Sequence, residues 1–309
     1  MQIILAPMEG VVDHIMRDML TQIGGFDLCV TEFVRVVDLL LPARVFYRLC
    51  PELHNDGRTP AGVPVKVQLL GQEPQCLAEN AARAIELGSH GVDLNFGCPA
   101  KMVNKHKGGA ALLRETAALF NIISVVRQAV PKEHPVTAKI RLGYEDKSLA
   151  IDNALAIEAA GASQLVVHAR TKVEGYKPPA YWDWIDKIRQ QVSIPVIANG
   201  EIWNLADAKQ CQQQSGCDDL MLGRGVLSLP NLAQVIRQKQ QPMPWVQMQQ
   251  QLSAYSGYDV FGDQNQYFPN RIKQWLRYLS REYPQAQEMF AKIRALKSAA
   301  EIRQILDQQ

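Results

Sequence analysis

The chain has 309 residues, of which 47% are hydrophobic and 21% charged, with a formal net charge of +2. This marks a globular protein with material for a sizeable core, and it gives no global sign of a nucleic-acid partner. No run of about 18 apolar residues occurs, which excludes a spanning helix, and the opening MQIILAPMEG lacks the basic and long apolar parts of a signal peptide. A cytoplasmic protein without a membrane partner is expected.

Short β-rich apolar runs recur at 2–7, 28–34, 64–70, 92–97, 136–142, 164–170, 195–200 and 219–225. Most look continuous, as parallel strands covered on both faces do. Between them lie helical patterns. The segment 76–88 is Ala-rich and ends on Gly88, and 150–161 repeats the design and ends on Gly161; each glycine suits the position just past a helix end. Eight strands alternating with helices predict an α/β fold, a (β/α)8 TIM barrel, over 1–240. A doubly wound open sheet is the rival, and the even spacing favours closure.

After Pro230 the strand signal stops. The Gln/Pro-rich 238–251 reads as a linker or as the entry to a further domain. Within 271–281, Ile272, Trp275, Leu276 and Leu279 share one helical face, opposite Lys273, Arg277 and Arg281. Met289, Phe290, Ile293 and Leu296 form a second stripe. From Arg271 to Lys297 there are seven basic and two acidic residues. The region 241–309 is therefore predicted as a small all-helical domain with a basic face, which charge pattern alone does not separate from an ordinary solvated surface.

Chemistry in such a barrel gathers at the C-terminal strand ends. Those ends hold APMEG, then Glu32 with Arg35, Gln68, Asn95 with Cys98, Lys139 with Arg141, His168 with Arg170, Asn199-Gly200-Glu201, and Gly223-Arg224-Gly225. A polar group at every end predicts an active site there. Glycines after strands seven and eight, followed by helices with free N–H groups, predict a phosphate site. Lys139 suits a flavin partner; a Schiff-base lysine or a salt bridge to Glu32 fits its position equally. The six cysteines form no C-x-x-C pair, so no metal is expected. All except Cys98 read as small buried apolar residues.

These residues carry a resemblance. LAPMEGVVDHIMR (5–17), VQLLGQEP (67–74), DLNFGCPAKMV (93–103) with GGAALL (108–113), TAKIRLG (137–143), VVHART (166–171), IPVIANGEI (194–202) and MLGRGVLSLPNL (221–232) resemble the tRNA-dihydrouridine synthase family. The matches are spread from Leu5 to Leu232, about three quarters of the chain, and the tail looks most like the family's bacterial C-type branch. The chain departs from the family's pattern at Val12, Met16, Pro178 and Tyr181, which bears on how RNA is gripped.

The resemblance implies an FMN-dependent oxidoreductase that uses NADPH and reduces the C5=C6 bond of a D-loop uridine in tRNA, uridine 16 for that branch. It implies that Pro7, Met8 and Glu9 line the flavin, that Gln68, Lys139 and His168 meet its ring, and that Asn199, Gly200, Glu201, Gly223 and Arg224 hold its phosphate. Cys98 would be the proton donor, and Asn95, Arg141 and Tyr176 would meet the uracil. Expected RNA contacts are Arg35, Lys101, Lys105, Lys107, Arg271, Arg277 and Arg281, with the Lys/Gly loop after Cys98 as a cover. The C-terminal helices would bind the tRNA elbow, and the protein is expected to be a monomer. No G-x-G-x-x-G occurs in a dinucleotide-binding setting, so no second stably held nucleotide is indicated. Two other readings stay open at this point: a flavin barrel acting on a free pyrimidine, and a tRNA-binding module without catalysis.

Overall fold

The computed structural model describes residues 1–238, 240–258 and 267–307. Eight strands follow in chain order: β1 Ile3–Leu5, β2 Leu28–Arg35, β3 Val65–Leu70, β4 Val92–Phe96, β5 Val136–Arg141, β6 Gln164–His168, β7 Val196–Asn199 and β8 Leu220–Leu222. Each pairs in parallel with the next, and β1 also pairs with β8, so the sheet closes into the predicted barrel. The helices Pro74–Glu86 and Ala150–Ala159 are followed, as expected, by Gly88 and Gly161 at φ +102° and +93°.

The strands are not uniformly apolar. Side chains alternate across a strand, and in β3, β4 and β5 Val65, Val67, Leu69, Val92, Leu94, Phe96, Val136, Ala138 and Ile140 join the core beneath the helices. The alternate positions face into the barrel. Ile4, Ala6, Leu28, Val30, Val166, Ile197 and Met221 form a separate apolar cluster there. β3, β4 and β5 contribute Lys66, Gln68, Asp93 and Thr137 instead, all buried. The interior therefore has an apolar half and a polar half. Near their boundary β2 and β3 shift register between Val30 and Phe33, and the Thr31 hydroxyl accepts the Gln68 N–H at 3.1 Å.

One sequence alternative is decided and one expectation is corrected. The segment 238–251 is the entry to a helical region rather than a linker alone, because the helix Trp245–Tyr258 begins inside it. Met248, Leu252 and Tyr255 supply its buried face at helical spacing, a period that the glutamines hide. The Lys/Gly stretch after Cys98 is not an open loop. It forms a short helix, Lys101–Lys105, and a 3-10 turn, Gly109–Arg114. Asn104 Nδ2 donates to Cys98 O at 2.9 Å and Ala110 N to the same oxygen at 3.1 Å, which folds the segment back over the strand end.

Helices Phe268–Leu279, Pro284–Ile293 and Ala299–Asp307 follow. Ile272, Trp275, Leu276 and Leu279 are buried as predicted, in one apolar cluster with the barrel's outer core. Trp275 Nε1 donates to Leu227 O at 3.2 Å, Tyr283 Oη donates to Met243 O at 2.8 Å, and Arg271 pairs with Asp13. Asp13 also caps the helix His14–Ile23 by accepting the Met16 N–H at 2.9 Å. No described helix is long and apolar enough to cross a membrane.

Candidate active site

The strand ends open into a cavity of about 600 Å³. Pro7, Met8, Glu9, Gln68, Lys139, His168, Asn199, Gly200, Glu201, Gly223 and Arg224 all line it, together with Asn95, Cys98, Arg141 and Tyr176. With Glu32 from β2, residues read from all eight strand ends thus meet at one place, whereas Arg35 and Arg170 are not part of the lining.

Its floor is hydrogen-bonded. Lys139 Nζ donates to Asn199 Oδ1 at 3.1 Å, and Asn199 Nδ2 donates to Met221 O at 2.8 Å. Burial, with Arg141 adding to it, lowers the Lys139 pKa to about 8. Lys139 is therefore still mostly cationic at neutral pH. Among the described residues its neighbour is Asn199 rather than Glu32, which instead accepts the Gly10 N–H. Burial pushes the Glu32 carboxyl up. His168 is held well below its ordinary range by burial and by the cations around it, so its ring is neutral, and its buried Nδ1 has no hydrogen-bond partner among the described residues. Gly200 lies so close that a Cβ there would stand 3.2 Å from His168 Cδ2.

The β4 end carries the thiol. Asn95 Oδ1 accepts the N–H groups of Gly97 and Cys98, both at 2.9 Å, which fixes the chain at the cysteine. Gly109 packs over it at φ +59°, where an added Cβ would meet Cys98 O at 2.9 Å, so only glycine fits without displacing the backbone. Burial is the main cause that pushes the Cys98 thiol above its ordinary value, so the half-buried group is protonated at neutral pH. Arg141 Nε donates to Gly97 O at 2.9 Å, and its Nη1 donates to Thr171 O at 3.1 Å and Gly175 O at 2.9 Å. The guanidinium therefore ties the β4 and β6 loops together. Its Cζ lies 5.0 Å from the Tyr176 ring centre, and the Tyr176 and His168 rings meet edgewise at 5.9 Å.

At the β7 and β8 ends, Glu201 is enclosed by donors. Arg170 Nη2 reaches its Oε2 at 2.5 Å, Trp203 Nε1 its Oε1 at 2.9 Å, and Arg224 Nη2 its Oε2 at 3.5 Å. These donors hold the Glu201 carboxyl below its ordinary range although burial opposes them. The expected supply of helix N–H groups is corrected after β7. The helix after β7 starts only at Leu205, and Asn204 caps it by accepting the Asp207 N–H. The helix after β8, Arg224–Ser228, is five residues long. Anion-binding capacity at this end lies in Arg224 and in the loop backbone.

Several lining residues escaped the sequence reading: Phe33, Trp203 and Tyr278. Trp203 and Phe33 adjoin recognised strand ends, so proximity was a usable signal. Tyr278 comes from the helix Phe268–Leu279, and nothing in its sequence points to the barrel mouth. Of the expected RNA contacts, Arg35, Lys101, Lys105, Lys107, Arg277 and Arg281 are exposed and outside the cavity, whereas Arg271 is half-buried against Asp13. Arg281 Cζ lies 3.9 Å from the Trp203 ring centre, and Arg277 Cζ lies 5.0 Å from that of Phe290. Among the described residues no cluster of three or more His, Cys, Asp or Glu side chains is suited to a metal.

The chain matches the family described as dihydrouridine synthase (Dus) over residues 4–309. It is 59% identical over 308 residues to a tRNA-dihydrouridine(16) synthase of Shewanella oneidensis, a match covering 100% of this chain and 98% of that protein. It is 55% identical over 309 residues to the enzyme of the same name from Vibrio cholerae, covering 100% and 95%. Among solved structures, morphinone reductase in complex with tetrahydroNAD superposes at TM-score 0.52 and 12% identity, covering 78% of this chain and 88% of that one. A 2-naphthoyl-CoA reductase complex superposes at TM-score 0.60 and 12% identity, covering 77% and 50%. Likeness at such identities speaks for the fold alone. The match along nearly the whole sequence, with the cysteine-bearing strand end in place, settles the family: the chain belongs to the dihydrouridine synthases.

Proposed function

We propose that this protein reduces the C5=C6 bond of uridine 16 in the D-loop of tRNA to 5,6-dihydrouridine, with FMN as its flavin and NADPH as reductant. Family membership supports the reaction class, and the names of the curated relatives support the position. The observation that carries the reading is the protonated Cys98 thiol in one cavity with Asn95, Arg141 and a cationic floor at Lys139.

The residues present fit a flavin. His168 lines the cavity with a buried nitrogen that has no partner among the described residues, the glycine at 200 leaves room against its ring, and Arg224 offers a cation at the far end. Lys139, Gln68 and His168 would meet the ring, and Asn199, Gly200, Gly223 and Arg224 the phosphate. Glu201 would act there through Arg170 and Arg224 rather than by touching the anion. When bound, the flavin supplies the hydride for the pyrimidine.

The chain's own residues do the rest. Asn95 keeps a second amide hydrogen for a uracil carbonyl, which favours negative charge developing on the conjugated C5–C4–O4 system. Cys98 Sγ, kept protonated by burial, delivers the proton to C5. Tyr176 and the loop that Arg141 fixes wall the uracil in. The target base must leave its stack, at a cost of about a few kcal/mol. Phosphate contacts from Arg35, Lys101, Lys105, Lys107, Arg277 and Arg281 would offset part of this, with 241–309 as the tRNA-binding region. The proposed enzyme is a cytoplasmic monomer.

The test is purified protein with FMN, NADPH and an unmodified tRNA transcript, followed by mapping of dihydrouridine. Product at position 16 is expected. Turnover of a free pyrimidine in preference to tRNA, or failure to bind flavin, overturns the reading.

A further inference from the structure

The polar half of the barrel interior is one connected chain of hydrogen bonds. Lys66 Nζ donates to Thr137 Oγ1 at 3.3 Å, and Thr137 Oγ1 donates to Asp93 Oδ1 at 2.6 Å. From the other side, the N–H groups of Gly97 and Cys98 donate to Asn95 Oδ1, Asn95 Nδ2 donates to Gln68 Oε1 at 2.8 Å, and Gln68 Nε2 donates to Asp93 Oδ2 at 2.7 Å. Lys66, Gln68, Asp93 and Thr137 are each no more than 4% exposed, so little water is at hand to substitute for a lost partner. The strand register sets these neighbours side by side: Gln68 opposite Asp93, Asp93 opposite Thr137, Asn95 opposite Lys139.

Every donor in this chain points toward Asp93. Its two ends admit no other sense. An ammonium only donates and a carboxylate only accepts, while the backbone N–H groups at 97 and 98 only donate. The two side-chain amides between are each reversible in isolation, and here both are fixed by what lies on either side. With Asn95 Oδ1 held by the backbone, its amide nitrogen must face Gln68 and the cavity.

We infer that Asp93, although it does not touch the cavity, is a positioning residue for the reaction. As the common acceptor of the chain, it sets the sense of the Gln68 and Asn95 amides, and through Asn95 Oδ1 it holds the backbone that presents the Cys98 thiol. The inference rests on Cys98 being the proton donor, but its test is scored without tRNA, so failure of one is distinguishable from failure of the other.

The test compares two charge-balanced double variants, so that no unpaired buried cation is left. Lys66→Met with Asp93→Asn keeps an acceptor oxygen for Gln68. Lys66→Met with Asp93→Leu keeps the shape and removes the acceptor. Iodoacetamide labelling of the folded proteins is followed by mass spectrometry at each cysteine. The Asn variant is expected to label Cys98 at the wild-type rate. The Leu variant is expected to label it about tenfold faster, the change of one lost hydrogen bond, with buried Cys29 and Cys50 staying unlabelled. Turnover of tRNA should then fall in the Leu variant and survive in the Asn variant. Equal Cys98 labelling in the two variants overturns the inference, as does labelling of Cys29 and Cys50 in step with Cys98, which would mean general loosening. Should the Leu variant not fold, Gln68→Leu alone cuts the same chain one link on, and an unchanged Cys98 rate there also overturns it.

Discussion

The two halves of the barrel interior solve the same packing problem differently. On one side Ile4, Val30, Val166, Ile197 and Met221 close the space with apolar volume. On the other, Lys66, Thr137, Asp93 and Gln68 close it with hydrogen bonds that run up to Asn95 and Cys98. Apolar contacts are non-directional and tolerate repacking. A fully satisfied buried polar chain specifies orientation, and one missing partner is costly. The proposed chemistry sits on the directional half, where the aim of an amide and a thiol would matter. The apolar half stabilises the barrel beneath the strand ends that carry Gly200 and Gly223.

Separate substitutions should move activity and stability independently if that division holds. The largest effect is expected from Cys98→Ala. Product formation on tRNA should fall by about 10²–10⁴-fold, the range for losing a positioned acid, while flavin binding and the urea midpoint hold. Full turnover in this variant would remove the thiol from the mechanism. Next comes Ile197→Ala in the apolar half, where Ile197 is completely buried and does not line the cavity. Deleting its methyl groups should cost roughly 2–5 kcal/mol in urea unfolding, with turnover per folded molecule little changed. Loss of turnover without loss of stability would erase the distinction between the halves.

Much of this was legible in the sequence, for reasons specific to the fold. Parallel strands separated by helices leave short apolar runs at regular spacing, and each run ends on the catalytic face. Reading the polar residues in and just after the C-terminal half of each run therefore found Asn95, Cys98, Lys139, His168 and Asn199 without any contact information. The polar half was less legible, because Lys66 and Asp93 sit inside runs that read as continuous apolar strands. Only the register shows that Asp93 stands between Gln68 and Thr137. Tyr278 and the Arg281–Trp203 contact were not legible at all. They depend on where a C-terminal helix docks, and no local pattern encodes that. The basic face read from 271–281 was real as a charge pattern, yet Lys273 is bonded to Leu296 O and Arg271 is paired with Asp13.

Titration gives a smaller and graded effect. Lys139 in the free protein loses its charge as pH rises through about 8, mainly because burial disfavours the ammonium. FMN binding should therefore weaken between neutral and alkaline pH, and Lys139→Met should flatten that profile. His168 bears on stability in the opposite pH range. Its folded-state pKa lies well below 6.5, so below about pH 6.5 the unfolded chain binds a proton that the folded one does not. Stability present above that value should be lost as pH falls, and His168→Gln should lose less. An FMN affinity that is flat from pH 7 to 9 would mean that the Lys139 charge does not meet the flavin ring.

The smallest effect is expected at the edge of the site. Arg281 is exposed, and its contact with Trp203 is a cation over a ring at 3.9 Å, worth about 0.5–1 kcal/mol where solvent reaches it. Arg281→Ala should therefore barely move the urea midpoint. Its value lies in the salt dependence of tRNA binding. If Arg281 meets a phosphate, removing it should weaken binding to all tRNAs alike and lower the slope of log K against log salt by about one. A smaller slope with unchanged kcat would place Arg281 in RNA capture rather than in chemistry. An unchanged slope would instead confine it to holding Trp203 against Arg224, whose Cζ lies 5.0 Å from the same ring centre.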